Sequence, residues 1–206
     1  TVLEGMGDIH IQTVLNKAKA LGVGIDTDMP KVPYRETIGA EAEAEYTHRK
    51  QSGGAGQYGK VVLRVLPSEE EFEYETNIFG GSISQQFLPS IEKGIRQVLE
   101  EGVIAGFPVV QVKVVVFDGK MHAVDSKDIA FQIAGREAFK DAFRNAKPSL
   151  LEPVMDVSVT IPDTMMGDIM GDLNSRRGRV QGMDSLVNKS VINAQVPLSE
   201  MLRYGN

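Results

Sequence analysis

Apolar and polar positions along the chain alternate between helical and extended spacing. Behind Asp8, a candidate cap, Ile11, Val14, Leu15 and Ala18 follow helical spacing, and Gly22 supplies a left-handed stop. Val23 to Thr27 is expected to continue as a short strand. Tyr34 to Tyr46 holds Glu-Ala-Glu-Ala-Glu, helix formers set in a two-residue alternation. The period favours a strand here, because Val61 to Leu66 is rich in β-branched residues and forms a natural return arm. After Pro67 and an acidic turn, Phe72, Tyr74 and Thr76 alternate with glutamates as a third strand with one wet face.

A helix from about Ser84 to Glu101 buries Leu88, Ile91, Ile95, Val98 and Leu99 and ends at Gly102. Val110, Val112, Val114 and Val116 then form a strand that opens into the turn Asp118-Gly119-Lys120. The next helix, Ser126 to Asn145, carries Ala130, Ala134, Ala138 and Ala142 at every fourth position, a stripe suited to close approach. Beyond Pro148 and Pro153, Val157, Val159 and Ile161 read as a strand. Asp163-Thr164 reads as the cap of a helix with Met166, Ile169, Met170 and Leu173 on one face, stopped by Gly178. Two strands, near Val180 and from Ser190 to Val196, lead to a helix start at Leu198.

Composition adds limits. The 206 residues are 42% hydrophobic and 24% charged, ordinary for a globular protein of one large or two small domains. No apolar run approaches membrane-spanning length and no signal core follows the start, so a cytoplasmic protein without a membrane partner is expected. Cysteine is absent, which excludes disulfides and thiolate metal sites. The net charge of −6 argues against coating nucleic acid over the whole surface, so any such contact is local.

Tyr46 to Lys60 offers that local contact. It reads as an exposed loop, with Gly53, Gly54, Gly56 and Gly59 clearing the backbone and Arg49, Lys50 and Lys60 supplying charge. A long hairpin connection with no partner has the same composition. A hydrolase using His122, Asp125 and Ser126 is a third reading, but these residues crowd one loop and no separately supplied oxyanion site is evident. His10, His48 and His122 are too scattered for a metal site, and Asp26 with Asp28 lacks the rest of a calcium loop.

Gly5-Met6-Gly7-Asp8-Ile9-His10, Tyr34-Arg35-Glu36-Thr37-Ile38, Gly53-Gly54-Ala55-Gly56-Gln57-Tyr58-Gly59, Gly106-Phe107-Pro108-Val109, Asp118 to Ser126, Leu151-Glu152-Pro153-Val154 and Met166 to Gly178 follow one another along the chain. In this order they resemble translation elongation factor G. The resemblance implies a fragment with an α+β fold: residues 1–30 as the end of a ferredoxin-like third domain, 31–149 as a fourth domain like the second domain of ribosomal protein S5, and 150–206 as a truncated ferredoxin-like fifth domain. It also implies a left-handed strand-helix-strand crossover in the fourth domain, against the usual preference.

By the same resemblance, two loops lie side by side and enter the small-subunit decoding region. The implied RNA contacts are Arg49, Lys50, Ser52, Gly53, Gly54, Gly56, Gln57, Tyr58 and Lys60 on one loop, and Asp118, Gly119, Lys120, His122 and Asp125 on the other. His122 matches the histidine set against the codon–anticodon region. Arg176, Arg177 and Arg179 match a basic helix end near large-subunit RNA and the stalk base; a cationic end complementing the helix dipole is the plainer reading. Implied partners are the ribosome, transfer RNA and messenger RNA. GTP and Mg2+ belong to a nucleotide-binding domain of the parent GTPase. The present sequence has no Gly-x-x-x-x-Gly-Lys-Ser/Thr loop, so this chain by itself is not expected to be an enzyme. Ala55 stands where many members carry arginine, which suggests a divergent paralogue. A ribosomal protection or recycling factor of the same superfamily is the alternative, and the intact Asp118 to Ser126 loop favours translocation.

Overall fold

The computed structural model describes residues 3, 5, 7–51, 56–202 and 204. They fall into two compact units, one comprising Tyr34–Leu151, the other Thr1–Pro33 with Glu152–Asn206. In the latter, helix α1 spans Asp8–Ala20 with Gly7, not Asp8, at the cap position. Gly22 adopts φ 78°, and the amides of Gly22 and Val23 donate back to the Lys19 and Ala18 carbonyls, the paired pattern that closes many helices. The strand expected over Val23 to Thr27 does not form. Residues 23–33 have no strand partner among the described residues and Val23 and Ile25 are half exposed, so their β-branched side chains have no pleat to pack on.

Tyr34–Leu151 opens with β1 (Arg35–Ile38) and β2 (Ala42–Lys50), two strands where the sequence suggested one. They belong to different sheets, because Gly39 and Ala40 turn away to bond the Ala146 carbonyl. Along β2, Ala42, Ala44, Tyr46 and His48 turn inward while Glu43, Glu45, Thr47 and Arg49 stay exposed. Antiparallel pairing with β3 (Gln57–Pro67), from Ala42↔Val65 to Lys50↔Gln57, overrides the helical propensity of the Glu-Ala run.

β4 (Phe72–Thr76) departs from the expected meander. It pairs in parallel with β5 (Val112–Lys120), not with β3, and the sheet order is β2-β3-β5-β4. The crossover is a 3-10 turn, Gln85–Phe87, running into α2 (Leu88–Glu101). Ile91, Ile95 and Val98 on α2 are fully buried, each contributing about 1.5–3 kcal/mol of apolar transfer. Helix α3 (Asp128–Asn145) packs on α2, β2 and β3. All four alanines of its stripe are fully buried beside Phe131, Phe139 and Phe143. The small residues bring backbones together: a Cβ on Gly94 of α2 would overlap the Gln132 carbonyl of α3.

The turn expected at Asp118-Gly119-Lys120 is instead the end of β5, paired through Val62↔Asp118, Val61↔Gly119 and Lys60↔Lys120. Gly119 is required by crowding, since a Cβ there would overlap both the Lys60 carbonyl and the Ile83 side chain. β6 (Pro148–Leu151) returns to pair antiparallel with β1.

Glu36, in β1, is fully buried. Its carboxylate accepts four backbone N–H bonds, from Val103, Ile104, Ala105 and Phe107, at 2.7–3.1 Å. Burial pushes its pKa up, and the four donors together outweigh burial, leaving it below the ordinary carboxylate value. The side chain thereby holds the 103–107 loop against β1.

In the other unit, β7 (Val154–Pro162), β8 (Arg179–Leu186) and β9 (Lys189–Pro197) form an antiparallel sheet of order β7-β9-β8. A 3-10 turn, Asp163–Met165, leads into α4 (Met166–Ser175), and α5 (Leu198–Met201) follows β9. Leu173 is fully buried against Ile161, Ile192, Ala194 and Val196, and the partly buried Met166, Ile169 and Met170 pack against the same cluster, so these methionines serve the core. Asp163 does not cap α4; its carboxylate accepts the Ser190 hydroxyl at 2.6 Å. The left-handed residue after α4 is Arg177, at φ 57°, and not Gly178, whose amide reaches the Leu173 carbonyl at 2.8 Å.

Candidate nucleic-acid interface

Most of the supposed Tyr46–Lys60 loop is strand. β2 runs to Lys50 and β3 begins at Gln57, so the connection is 51–56; Ser52, Gly53, Gly54 and Ala55 lie outside the described residues. Arg49 pairs across to Tyr58 and Lys50 to Gln57. The His48 ring and the Gln57 amide meet at 2.9 Å beneath them.

The second loop, 121–127, lies against this hairpin end. The Tyr58 amide donates to the Asp125 carbonyl at 2.9 Å, and the Ser126 hydroxyl donates to the Tyr58 carbonyl at 3.0 Å. A Cβ on Gly56 would overlap the Asp125 carboxylate. The rings of Tyr58 and His122 lie 6.2 Å apart at 60°. His122 is exposed, with 56% of its side chain accessible. Its Nδ1 accepts the Val124 and Asp125 amides at 3.4 and 3.3 Å, which leaves the proton of the neutral ring on Nε2 as an N–H donor. The Asp125 carboxylate lies 3.3 Å from the same Nδ1, and Nε2 is a donor in the charged ring as well. Gly56, Gln57, Tyr58, His122 and Asp125 therefore meet in one place. Lys60, Asp118, Gly119 and Lys120 lie on the adjoining strand ends.

Charge is sorted along the same sheet. Toward its body the cations are neutralised on the open face: Lys60 by Glu45 at 2.7 Å, Arg64 by Glu41 and Glu43, and Lys113 by Glu73 and Glu75. Glu45 accordingly raises the pKa of Lys60, and Glu75 that of Lys113. Arg49, Lys50, Lys120 and Lys127, at the loop end, have no carboxylate partner among the described residues. Lys60, which the sequence offered as a loop cation, belongs to the neutralised set.

Nucleophilic chemistry does not fit these residues. The Ser126 hydroxyl accepts the His122 amide at 2.8 Å and gives its only proton to the Tyr58 carbonyl, so it is not activated by the His122 ring. No group of three or more metal-ligating side chains occurs among the described residues, and no helix among them is long and apolar enough to cross a membrane.

At the end of α4 the three arginines differ. Arg177 makes a fork with Glu152 at 2.6 and 3.0 Å and also bonds Glu200 and Ser199; the two glutamates raise its pKa. Arg176 bonds Asp172 and the Glu200 carbonyl and lies 5.0 Å over the Tyr204 ring. Arg179, on β8, has no side-chain partner among the described residues. Glu36 and the Ser126 hydroxyl bridge are the two positioning groups the sequence did not mark for these roles.

Fold and loop geometry describe an α+β protein in which Arg49, Lys50, Lys120 and Lys127, without carboxylate partners among the described residues, lie with the exposed His122 at one end of a sheet. The chain belongs to the elongation factor G family: residues 30–147 match the model of elongation factor G, domain IV, and 149–206 that of the elongation factor G C-terminus. It is 47% identical to elongation factor G of Petrotoga mobilis over 99% of this chain, and 45% identical to that of Aquifex pyrophilus over 98%. It is 46% identical over its full length to an elongation factor G-like protein of Thermotoga maritima. The chain spans 30–31% of the length of these relatives. A crystal structure from Thermus thermophilus matches 97% of this chain and 30% of its own, with TM-score 0.83 and 44% identity.

Proposed function

We propose that this chain is the ribosome-contacting part of a translational GTPase that moves transfer RNA and messenger RNA together. In this reading residues 31–149 form the domain like the second domain of ribosomal protein S5, and 150–206 a ferredoxin-like domain. Residues 1–30 are the end of a preceding ferredoxin-like domain, and GTP with Mg2+ is handled by a part of the cytoplasmic parent outside this chain.

The supporting observation is the sorting of charge. An acidic molecule whose sheet-body cations are neutralised can approach phosphates where cations remain unpaired, and at this sheet those are Arg49, Lys50, Lys120 and Lys127. At the same sheet end, the His122 Nε2–H is a donor suited to a ribose hydroxyl or phosphate oxygen in the decoding region. No bond is made or broken there; the loops hold the RNAs while the subunit moves. Arg179 is the basic group left open for large-subunit RNA at the stalk base, since Arg176 and Arg177 are engaged within their own unit.

The test is pre-steady-state translocation with the full-length factor carrying His122→Ala, and separately a Gly53/Gly54 double replacement. Slowed translocation with unchanged folding is expected. Unchanged rates in both would remove the loops from the mechanism, and subunit splitting or drug release without translocation would assign a recycling or protection role.

A further inference from the structure

We propose that Ser126 is a positioning residue that fixes one loop of this interface against the other. The inference rests on the ribosomal reading above, and the geometry that carries it is independent of that reading.

A serine hydroxyl has one proton to donate and lone pairs to accept. Here both capacities are used, and they reach different loops. The His122 amide donates to the Ser126 Oγ at 2.8 Å within the 121–127 loop, and the Oγ donates to the Tyr58 carbonyl at 3.0 Å on β3, 68 residues earlier. The backbone repeats the connection on either side: Ser126 N–H donates to the His122 carbonyl at 3.2 Å, and Tyr58 N–H donates to the Asp125 carbonyl at 2.9 Å. Tyr58 and Ser126 form an isolated parallel bridge between the loops. The hydroxyl therefore bonds both the backbone of His122 and the hairpin that carries Arg49 and Lys50.

Two consequences set its role apart from ordinary loop packing. First, the Ser126 bonds fix where the His122 backbone begins its turn, and the amides of Val124 and Asp125 then engage the ring nitrogen. The direction of Nε2 is inherited from Ser126. Second, the flanks of the hairpin sit directly against the second loop, Gly56 against the Asp125 carboxylate and the Tyr58 ring 6.2 Å from the His122 ring. Losing the hydroxyl bridge frees one loop to drift from the other without opening the core, to which neither Tyr58 nor Ser126 belongs and which β3 enters at Val61. The recognised object is a sugar-phosphate backbone whose contacts are divided between two loops, so their spacing is a recognition element in its own right.

The experiment compares Ser126→Ala with Ser126→Thr in the full-length factor, with His122→Ala as the reference. Thr keeps the oxygen and Ala removes it. We expect Ser126→Ala to slow translocation about 5- to 10-fold, the size of one lost hydrogen bond carried into the transition state, and Thr to restore most of it. Ribosome-stimulated GTP hydrolysis and the melting temperature should stay near wild type in both, which a merely structural defect would not allow. Amide exchange at His122 and Tyr58 should quicken in the Ala variant alone. If His122→Ala is slow while Ser126→Ala translocates and exchanges like wild type, the positioning role is wrong and the ribosomal reading survives. If Ser126→Ala exchanges faster but neither variant affects translocation, the ribosomal reading fails, and the role in function fails with it. Equal loss in the Ala and Thr variants would also overturn the proposal.

Discussion

Gly56 and Asp125 stand so close that any side chain at position 56 would occupy the space of the Asp125 carboxylate. Glycine here serves proximity between two loops, whatever freedom its backbone also enjoys. Gly56→Ala should therefore push Asp125 aside and spread the loops. The expected result is ribosome binding weakened by about 3- to 10-fold, with a melting temperature close to wild type because the site lies outside the core. Equilibrium binding and calorimetry on the same preparation check it.

The division between neutralised and unpaired cations gives a second outcome. Binding to ribosomes, measured against salt concentration, should lose about one unit of log–log slope for each replacement among Arg49, Lys50 and Lys120 that removes a phosphate contact. Lys60→Ala and Arg64→Ala should leave the slope unchanged, since both already face carboxylates. A uniform effect across all five would mean that net charge alone governs binding.

Glu36 links acid sensitivity to one carboxylate. Its pKa is lowered in the folded protein, so its contribution is fully present above the unfolded value of about 4.5 and is lost as pH falls through the folded value. Glu36→Gln should cost about 2–4 kcal/mol at neutral pH, because the amide NH2 would face backbone donors that the carboxylate accepts. The variant's stability should also fall less steeply below pH 4.5 than wild type. Urea titrations from mildly acidic to neutral pH, extended below the unfolded value, read both effects.

Gly119 separates the strand from the expected turn. If Asp118-Gly119-Lys120 were a turn, alanine at 119 would be nearly neutral where φ is ordinary. In the strand it meets the Lys60 carbonyl and Ile83, and Gly119→Ala should cost about 1–3 kcal/mol by overpacking. Chemical denaturation of the chain decides between them.

These cases show what was legible in the sequence. Periodicity located α2, α3 and the β2–β3 hairpin because one face of each is buried within a few residues of sequence. Asp-Gly at 118 mimicked a turn because the reason for the glycine lies 59 residues earlier, in the carbonyl of Lys60. Glu36 looked like one more strand acid, its four donors being 67–71 residues away. Family resemblance brought the two loops together on paper. Only the strand register distinguished Lys60, held by Glu45, from Lys120, left unpaired, although the two are direct partners across β3 and β5. Parallel pairing of β4 with β5 was hidden for the same reason, since an acidic turn after Pro67 is equally compatible with a meander.

The pairing of β1 with β6 places Arg35 opposite Leu151, so the two ends of this unit are side by side. A segment with adjacent ends can be lifted out and its ends re-joined through a short linker. The unit is in effect a cassette, exchangeable between related chains by splicing at a single doorway.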